Sequence, residues 1–274
     1  MKITFLGTNA LLFSKDKTAI LVDPHFTRPG LLNLLGKIRP DPVKITENLA
    51  RFGIRKVEGV LLTHTHYDHA LDAAEVIRQT GGVLYASESA VQLARGTGLG
   101  EHTFVQVVPQ QAYTIGAFQV HFHPAKHVPF PIPMRWLMPH DSKITHPLCP
   151  SAYFWHYQAG ATMAIQIDRT LIFGSAGFVT GAYQDLDIET VILGVGGLDL
   201  QSPRYIESLY RETVLAPGVK QVFLSHWDDF FRPLDINLQV SLFARRSIPQ
   251  INKLGRRNGH RVHQLEFGQT LSIN

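Results

Sequence analysis

Cysteine, charge and long apolar runs are all scarce in this chain, and each scarcity argues against a class of protein. The only cysteine is Cys149, so no intrachain disulfide can form, which is typical of a reducing compartment. No apolar run approaches the length of a membrane span, and the apolar N-terminal stretch is soon broken by Gly7, Thr8 and Asn9, as in a strand and not a signal peptide. We therefore predict a soluble, cytoplasmic protein without a membrane span.

A serine or cysteine nucleophile is also missing from the sequence. The motif G-x-S-x-G does not occur, and Cys149 lies in a proline-rich segment with no evident base partner. The glycine-rich run 194–197 lacks the G-x-G-x-x-G pattern, so it does not predict a nucleotide cradle.

The rest of the composition is that of a large folded domain. The chain has 274 residues, of which 45% are hydrophobic and only 18% are charged, which suits a sizeable core and argues against disorder. Apolar runs between turn residues predict strands over 2–6, 10–13, 18–22, 57–62, 83–86, 103–108, 112–115, 117–123, 161–167, 170–173, 189–194, 221–225, 260–266 and 269–273. Helical spacing predicts helices over 70–78, 88–95, 203–214 and 245–257. We expect a single domain over 1–274, with two sheets sandwiched between helices.

Two segments interrupt this pattern. Residues 26–56 read as a looser insertion, and residues 128–157 form a second insertion that is rich in proline and aromatic residues. A connection as long as 128–157 is typical of a lid or a binding wall, and the alternative is an irregular excursion that covers a sheet edge. Its aromatic side chains favour a partly apolar substrate, for which Trp136 and Tyr153 are candidate contacts.

Positive charge is concentrated near the end of the chain. The net charge is +4, and residues 245–261 carry several cations and no acid: Arg245, Arg246, Lys253, Arg256, Arg257 and Arg261. Such a stripe can attract nucleic acid, but it is more often the solvated face of a surface helix. Because aromatic residues do not interleave with these cations, we do not expect a nucleic-acid partner.

Residues 63–69, Thr-His-Thr-His-Tyr-Asp-His, are the most informative segment. They place His64, His66, Asp68 and His69 within six positions. Clustered imidazoles with a carboxylate are good ligands for a borderline-soft divalent cation, whereas a polar turn with hydrogen-bonded histidines is the alternative. Two more histidines, His127 and His226, follow predicted strands, so they can converge with this segment on one rim of the sheets.

These residues resemble the motifs of the metallo-β-lactamase-fold hydrolases. Residues 64–69 match the family pattern H-x-H-x-D-H, and Asp23, His127 and His226 match its other motifs in order. Within that family the chain is most similar to the branch of ascorbate-6-phosphate lactonase-like and N-acylethanolamine-phospholipase-like proteins. The resemblance implies an α+β fold, a four-layer αββα sandwich with metals at one edge of the sheets.

The resemblance also implies roles for individual residues. His64, His66 and His127 would hold one zinc, and Asp68, His69 and His226 a second. Asp23 would orient the histidine loop, since a metal-bound imidazole usually donates its other N–H to a fixed acceptor. The zincs would supply a hydroxide at neutral pH, with Asp68 orienting this nucleophile.

One position departs from the family pattern. Where the family commonly has an acid that bridges the metals, this chain has Ser175, within Gly174–Gly177. Serine is a poor zinc ligand at neutral pH, so we expect one tight zinc and a second, weaker one. Asp228 and Asp229, in the loop after His226, are candidates to compensate. Manganese and iron remain alternative metals.

The predicted function is therefore hydrolysis of a small ester, lactone or phosphoester by a metal-activated water. Lys126 is a candidate to bind a negative group on the substrate, and Trp227, beside His226, is a further candidate contact. Two alternatives stay open: a nuclease or phosphodiesterase that acts on nucleic acid, and a non-catalytic, metal-dependent binding protein on the same scaffold. The sequence does not indicate an oligomeric state.

Overall fold

Two seven-stranded sheets form the centre of the computed structural model, which describes residues 1–131, 142–234 and 237–273. The strands, in chain order, are β1 (Lys2–Phe5), β2 (Leu11–Lys15), β3 (Thr18–Val22), β4 (Lys37–Ile38), β5 (Gly59–Leu61), β6 (Val83–Ala86), β7 (Phe104–Gln106), β8 (Ala112–Ile115), β9 (Phe118–Pro124), β10 (Ala152–Tyr153), β11 (Met163–Ile167), β12 (Thr170–Phe173), β13 (Thr190–Gly194), β14 (Gln221–Ser225), β15 (Val262–Gln264) and β16 (Thr270–Ser272).

The helices lie mainly between the strands. The α-helices are α1 (Pro42–Arg51), α2 (Tyr67–Ala70), α3 (Ala73–Thr80), α4 (Glu88–Gly96), α5 (Pro203–Tyr210) and α6 (Ser247–Arg257). Short 3-10 helices cover Leu31–Leu35, Glu101–Thr103, Phe154–His156 and Leu198–Leu200, and a π-helical turn, Arg211–Leu215, continues α5. Among the described residues, no helix combines the length and the apolar character that crossing a bilayer requires.

Each sheet mixes antiparallel and parallel pairing. Sheet one has the order β16-β1-β2-β3-β5-β6-β7, and its strands β3, β5, β6 and β7 run parallel to one another. Sheet two has the order β15-β14-β13-β12-β11-β9-β8, and its strands from β12 to β15 run parallel. A short antiparallel pair joins β10 to β4.

The two faces of sheet one bury different sets of apolar side chains, because successive residues of a strand point to opposite faces. On one face, Phe13 and Ile20 pack in the same core as Phe122 and Ile165 of sheet two. The next residue of β3, Leu21, belongs instead to the core beneath the helices, with Ile45 of α1 and Val76 of α3. The outer helices pack on both sides: α3 on β5 and β6, and α6 on β15. The predicted αββα arrangement is therefore confirmed.

Helix α1 was not predicted from the sequence. It has 10 residues and lies within the segment that we interpreted as a looser insertion, residues 26–56. Its first turn is capped by Asp41, whose side chain accepts hydrogen bonds from the backbone N–H groups of Val43 and Lys44, and Pro42 occupies the first helical position. Capping by aspartate followed by proline is a common helix start.

Candidate metal centre

All the predicted site residues that follow strands lie at one edge of the sandwich. Asp23 follows β3 and the histidine run follows β5, while His127, Ser175 and His226 follow β9, β12 and β14. In sheet one, β3 and β5 run parallel. In sheet two, β12 and β14 both run parallel to β13. Strand β9 has the same direction as β12, because each is antiparallel to β11. Strand ends with the same direction meet at one edge, so these loops converge.

The six predicted ligands form two trios of side chains. The first trio is His64, His66 and His127, and the second trio is Asp68, His69 and His226. Within each trio, one ligand atom per residue lies within 4.8 Å of the others. The trios are adjacent, since the ring centroids of His64 and His69 are 4.0 Å apart.

The carboxylate of the second trio lies between two imidazoles. Asp68 Oδ2 is 3.1 Å from His226 Nε2 and 3.5 Å from His69 Nε2. Burial alone would raise the pKa of Asp68, but the neighbouring His69 and His226 outweigh it and hold this pKa well below its usual range. Asp68 is therefore ionised at neutral pH.

Asp23 fixes the orientation of this loop through hydrogen bonds. Its Oδ2 accepts from Asn9 Nδ2 at 2.7 Å and from the Thr63 hydroxyl at 2.6 Å, and its Oδ1 accepts from the Thr63 backbone N–H at 2.8 Å. His69 Nδ1 lies 2.8 Å from Oδ2, so it carries the proton of this bond and leaves Nε2 facing Asp68. Asp23 itself has φ +42°, in the left-handed region that few residues other than glycine adopt, although aspartate and asparagine do so more often than most.

Two ligands of the first trio, His64 and His127, are also oriented by hydrogen bonds at Nδ1. His127 Nδ1 donates to the carbonyl of Val128 at 2.8 Å. His64 Nδ1 is 3.0 Å from the Thr63 hydroxyl, and because that hydroxyl donates to Asp23, the imidazole is the donor. The Nε2 atoms of both rings are therefore left unprotonated, as a metal requires.

The donor set fits a divalent metal. Of the ring nitrogens that face the two trios in the described part of the chain, the buried Nε2 of His64 has no hydrogen-bond partner, which is costly unless a metal satisfies it. Burial, then the neighbouring imidazoles, lowers the pKa of His64 and of His127 well below its usual value, so both rings are neutral and able to ligate. Burial alone would lower the pKa of His69, but the neighbouring carboxylates of Asp68 and Asp23 outweigh burial and raise it.

Ser175 lies at the centre as predicted from its place in the chain, but its hydroxyl is already engaged. It accepts a hydrogen bond from the backbone N–H of Val128 at 3.0 Å. The preceding Gly174 packs so closely on Thr63 that a Cβ would lie 2.1 Å from the Thr63 hydroxyl oxygen. The loop after β12 therefore contacts both the loop that carries His127, through Ser175, and Thr63, which hydrogen-bonds Asp23.

Asp228 does not compensate for the missing acid, contrary to our expectation. It lies in a fully buried ion pair with Arg28, and its other oxygen accepts from the backbone N–H of Thr8 at 2.7 Å. Both carboxylate oxygens are thus occupied away from the two trios. Asp229 is bound locally, to the backbone N–H of Phe231 and to Arg232.

Other candidate substrate contacts also lie elsewhere. Trp227 is buried, donates its indole N–H to the carbonyl of Leu265 at 2.9 Å and packs on Phe5, so it is part of the core. Tyr153 stacks on Trp155 and Lys126 is exposed, and neither lines the cleft above the trios. Trp136 falls outside the described residues.

Sequence reasoning missed two groups that shape the site. The first is the polar support of the loops, Asn9, Thr63 and Arg28, of which only Thr63 could have been found, through its place beside His64. The second is a group of phenylalanines around the cleft, including Phe230 and Phe231 shortly after His226. Their closeness to His226 in the sequence was an available signal.

Comparison with known proteins identifies the fold. The family model of the metallo-beta-lactamase superfamily matches residues 3–136. A metal-dependent hydrolase of Christiangramia forsetii is 38% identical over 87 residues, and one of Agrobacterium fabrum is 32% identical over 88 residues. Each alignment covers 32% of this chain and 32% of the relative, so the match spans about a third of the length of these curated relatives.

Solved structures extend the likeness over the whole chain. A metallo hydrolase from Ignicoccus hospitalis has a TM-score of 0.59 at 16% identity and covers 100% of this chain and 98% of its own. An isothiocyanate hydrolase from Delia radicum gut bacteria has a TM-score of 0.60 at 16% identity, with coverage of 100% and 99%. At such identities the likeness concerns the fold alone, which is that of the metallo-β-lactamases. The match to the superfamily's model covers just under half of the chain, residues 3–136.

Proposed function

We propose that this protein is a metal-dependent hydrolase that uses a zinc-activated water to cleave a small ester, lactone or phosphoester. The observation that carries the proposal is the meeting of the two trios at the floor of one cleft, which is lined by His66, Asp68, His69, His127 and His226. The relatives from Christiangramia forsetii and Agrobacterium fabrum are named as metal-dependent hydrolases, which supports the reaction class.

When bound, zinc would lower the pKa of a water and stabilise the negative charge that develops on the attacked group. The protein supplies the orientation of the reacting groups. Asp68, ionised and facing the cleft, accepts a hydrogen bond from the nucleophile and directs its lone pair toward the substrate. Asp23 holds His69 in one tautomer, and the Val128 carbonyl does the same for His127.

The two trios should differ in affinity. The first trio is made of three imidazoles, whereas the second has two imidazoles and Asp68 and lacks the bridging acid at Ser175. We infer one tight and one weaker zinc. Metal analysis after dialysis tests this ranking, since two equally tight equivalents would contradict it. Zinc suits mixed imidazole and carboxylate ligands, and manganese and iron are the alternatives that the same analysis would identify.

The hydrolase proposal is tested with a panel of para-nitrophenyl esters, lactones and phosphoesters, assayed with and without a chelator. We expect turnover that the chelator abolishes and added zinc restores. The variant His66→Ala should lose at least about a hundredfold in kcat/KM, because it removes a ligand. The control His102→Ala changes an exposed histidine outside both trios and should leave turnover unaffected.

A different result would favour one of two alternatives. Zinc binding without turnover of any substrate on the panel would favour a metal-dependent binding protein. Cleavage or binding of nucleic acid, with affinity that falls steeply with salt, would favour a nuclease. None of the cations of the basic stretch 245–261 is among the described residues that line the cleft, so we do not expect that second result.

A further inference from the structure

The cleft above the two trios is large enough for a small organic molecule. Its cavity volume is about 230 Å³. Its floor is polar and consists of the ligands themselves with Ser175. A substrate that reaches the floor must therefore pass between the cleft walls, and the chemistry of those walls selects it.

The walls are made of aromatic and aliphatic side chains from separate parts of the chain. The aromatic residues that line the cleft are Tyr67, Phe130, Phe154, Phe230, Phe231 and Phe243. Leu34, Val128 and Leu200 complete the apolar lining. Side chains that are far apart in sequence thus converge on one hydrophobic surface directly above the candidate metal ligands.

The described residues give these walls no positive charge. Within residues 1–131, 142–234 and 237–273, no lysine or arginine lines the cleft. The nearby Arg28 is fully buried and paired with Asp228, and Lys126, beside His127, is exposed outside the cleft. An anionic group placed against the walls would lose its hydration without gaining a partner, which is costly in an apolar environment.

The entrance has the same apolar character. Leu34 belongs to the 3-10 helix Leu31–Leu35, whose Leu32 and Leu35 are 81% and 80% exposed. Exposed leucines next to an apolar cleft are more informative than scattered ones, because they extend the same surface outward.

We propose that the substrate is an uncharged carboxylic ester or lactone whose hydrocarbon or aromatic part packs on these walls, an inference that rests on the proposed hydrolase function. In the reaction, the oxygen of a water bonds to the acyl carbon, and the bond from that carbon to the alkoxy oxygen breaks, leaving its electron pair on that oxygen. One proton of the water passes to the same oxygen. The products are a carboxylic acid and an alcohol, or a single hydroxy acid from a lactone. Esters with a charged tail are excluded substrates.

A matched pair of esters isolates the effect of charge. Para-nitrophenyl hexanoate and the para-nitrophenyl monoester of adipic acid share the reacting group and the chain length, and only the second carries a terminal carboxylate. We expect kcat/KM to rise about fourfold per methylene from the acetate to the hexanoate. The adipate should be at least about a hundredfold poorer than the hexanoate, because its carboxylate would be buried unpaired.

Two variants at neighbouring positions test whether the cleft walls cause this selectivity. Phe243→Arg places a cation on the wall at a residue that is 40% exposed, so the fold should tolerate it. It should lower kcat/KM for the hexanoate and raise it about tenfold for the adipate. Leu242→Arg adds the same charge one position away, outside the lining, and should change neither value.

The outcomes separate this inference from the proposed function. An adipate that matches the hexanoate, or rates that do not depend on chain length, would overturn the inference while the hydrolase proposal stands. If no ester, lactone or phosphoester of the panel is turned over in a chelator-sensitive way, the hydrolase proposal fails, and binding of the uncharged fluorophore N-phenyl-1-naphthylamine then decides. Binding that Phe243→Arg weakens and Leu242→Arg does not would support an apolar ligand site, and absence of binding would overturn it.

Discussion

Asp23 is a single residue on which several parts of the centre depend. Its carboxylate accepts from Asn9, from the hydroxyl and backbone N–H of Thr63, and from His69. Two of these donors lie in the loop after β5 and position the imidazoles of both trios. A change of this one carboxylate should therefore affect metal binding more than the stability of the whole fold.

The variant Asp23→Asn tests this role. An asparagine keeps the size but turns an N–H₂ group toward donors, so His69 and Thr63 lose a common acceptor. We expect zinc affinity to fall by about 10–100-fold, measured by competition with a chromophoric chelator. Asp16→Asn, a change of an exposed aspartate, is the control. Unchanged affinity in Asp23→Asn would show that the loop holds its ligands without this carboxylate.

Ser175 offers a direct test of the difference between the two trios. Ser175→Asp restores an acid at the position where the family commonly has one, and Ser175→Asn has the same size without the charge. We expect the aspartate variant to retain a second zinc equivalent through dialysis that the wild type and the asparagine variant lose. Equal retention in all three proteins would mean that the charge at this position does not set the affinity of the second site.

His25 makes the fold sensitive to acid. It is fully buried, and neither ring nitrogen has a hydrogen-bond partner in the described structure. Burial, and then Arg28, lowers the pKa of His25 from 6.5 to about 3. Because the unfolded chain takes up the proton first, the stabilisation by the neutral ring is present above pH 6.5 and is lost as the pH falls toward 3.

We therefore expect His25→Phe to weaken the pH dependence of the free energy of unfolding, with about one proton fewer taken up on unfolding at pH 5. Urea titrations of the metal-free protein at pH 7 and pH 5 measure this. His102→Phe, at an exposed histidine, should leave the dependence as it is in the wild type. The same slope in His25→Phe and the wild type would contradict the assignment.

At the scale of elements, the loops after β3 and β14 are joined by one buried ion pair. Arg28 belongs to the loop after β3 in sheet one, and Asp228 to the loop after β14 in sheet two, and both side chains are fully buried. Arg28 also donates to the hydroxyl of Thr8, whose carbonyl accepts from the backbone N–H of His226. Arg28 thus positions Thr8, whose backbone carbonyl accepts from His226 of the second trio.

Asp228→Asn should leave Arg28 charged and poorly compensated in the interior. We expect the free energy of unfolding to fall by about 3–5 kcal/mol, measured by urea titration. The double variant Arg28→Met with Asp228→Leu removes both charges and should recover much of this loss. A double variant that is as unstable as the single one would show that packing, and not the unpaired charge, is responsible.

The predictable and unpredictable elements differ in how local their signals are. Strand β8 and strand β12 have the predicted bounds, because each is a short apolar run between turn residues. The pairing of β10 with β4 was not predicted, since two-residue strands carry no periodicity and their partners are distant in sequence. The helix predicted over 70–78 is split into α2 and α3, and α2 begins earlier, at Tyr67, directly after the ligand His66.

The same distinction holds for the site. The ordered histidines and aspartates could be assigned to the centre because each follows a strand, and strand order fixes where loops meet. Asp228 could not be assigned, because its partner Arg28 precedes it by most of the chain and nothing near it in sequence reveals the pair. The cleft walls are equally non-local, as residues from Leu34 to Phe243 contribute to them.

At the scale of the whole molecule, bound metal should hold the two sheets together. Each trio takes two members from the loop after β5 of sheet one and one from sheet two, His127 after β9 or His226 after β14. Zinc that binds only the folded state at about a thousand times its Kd adds about 4 kcal/mol to the free energy of unfolding. For a chain of this size we expect Tm to rise by roughly 10 °C.

Scanning calorimetry with zinc and with a chelator measures this shift. The double variant His66→Ala with His226→Ala removes one ligand from each trio and should show little or no shift. An equal shift in this variant would place the stabilising metal at another site.

The division of each trio between distant loops also orders events during translation. When His127 leaves the ribosome, strands β11 to β15 of sheet two have not yet been synthesised. The second trio is complete only later, after His226 has been synthesised. A nascent polypeptide therefore displays the histidine run long before it can build either complete coordination shell, and it exposes those imidazoles to any free cation in the meantime.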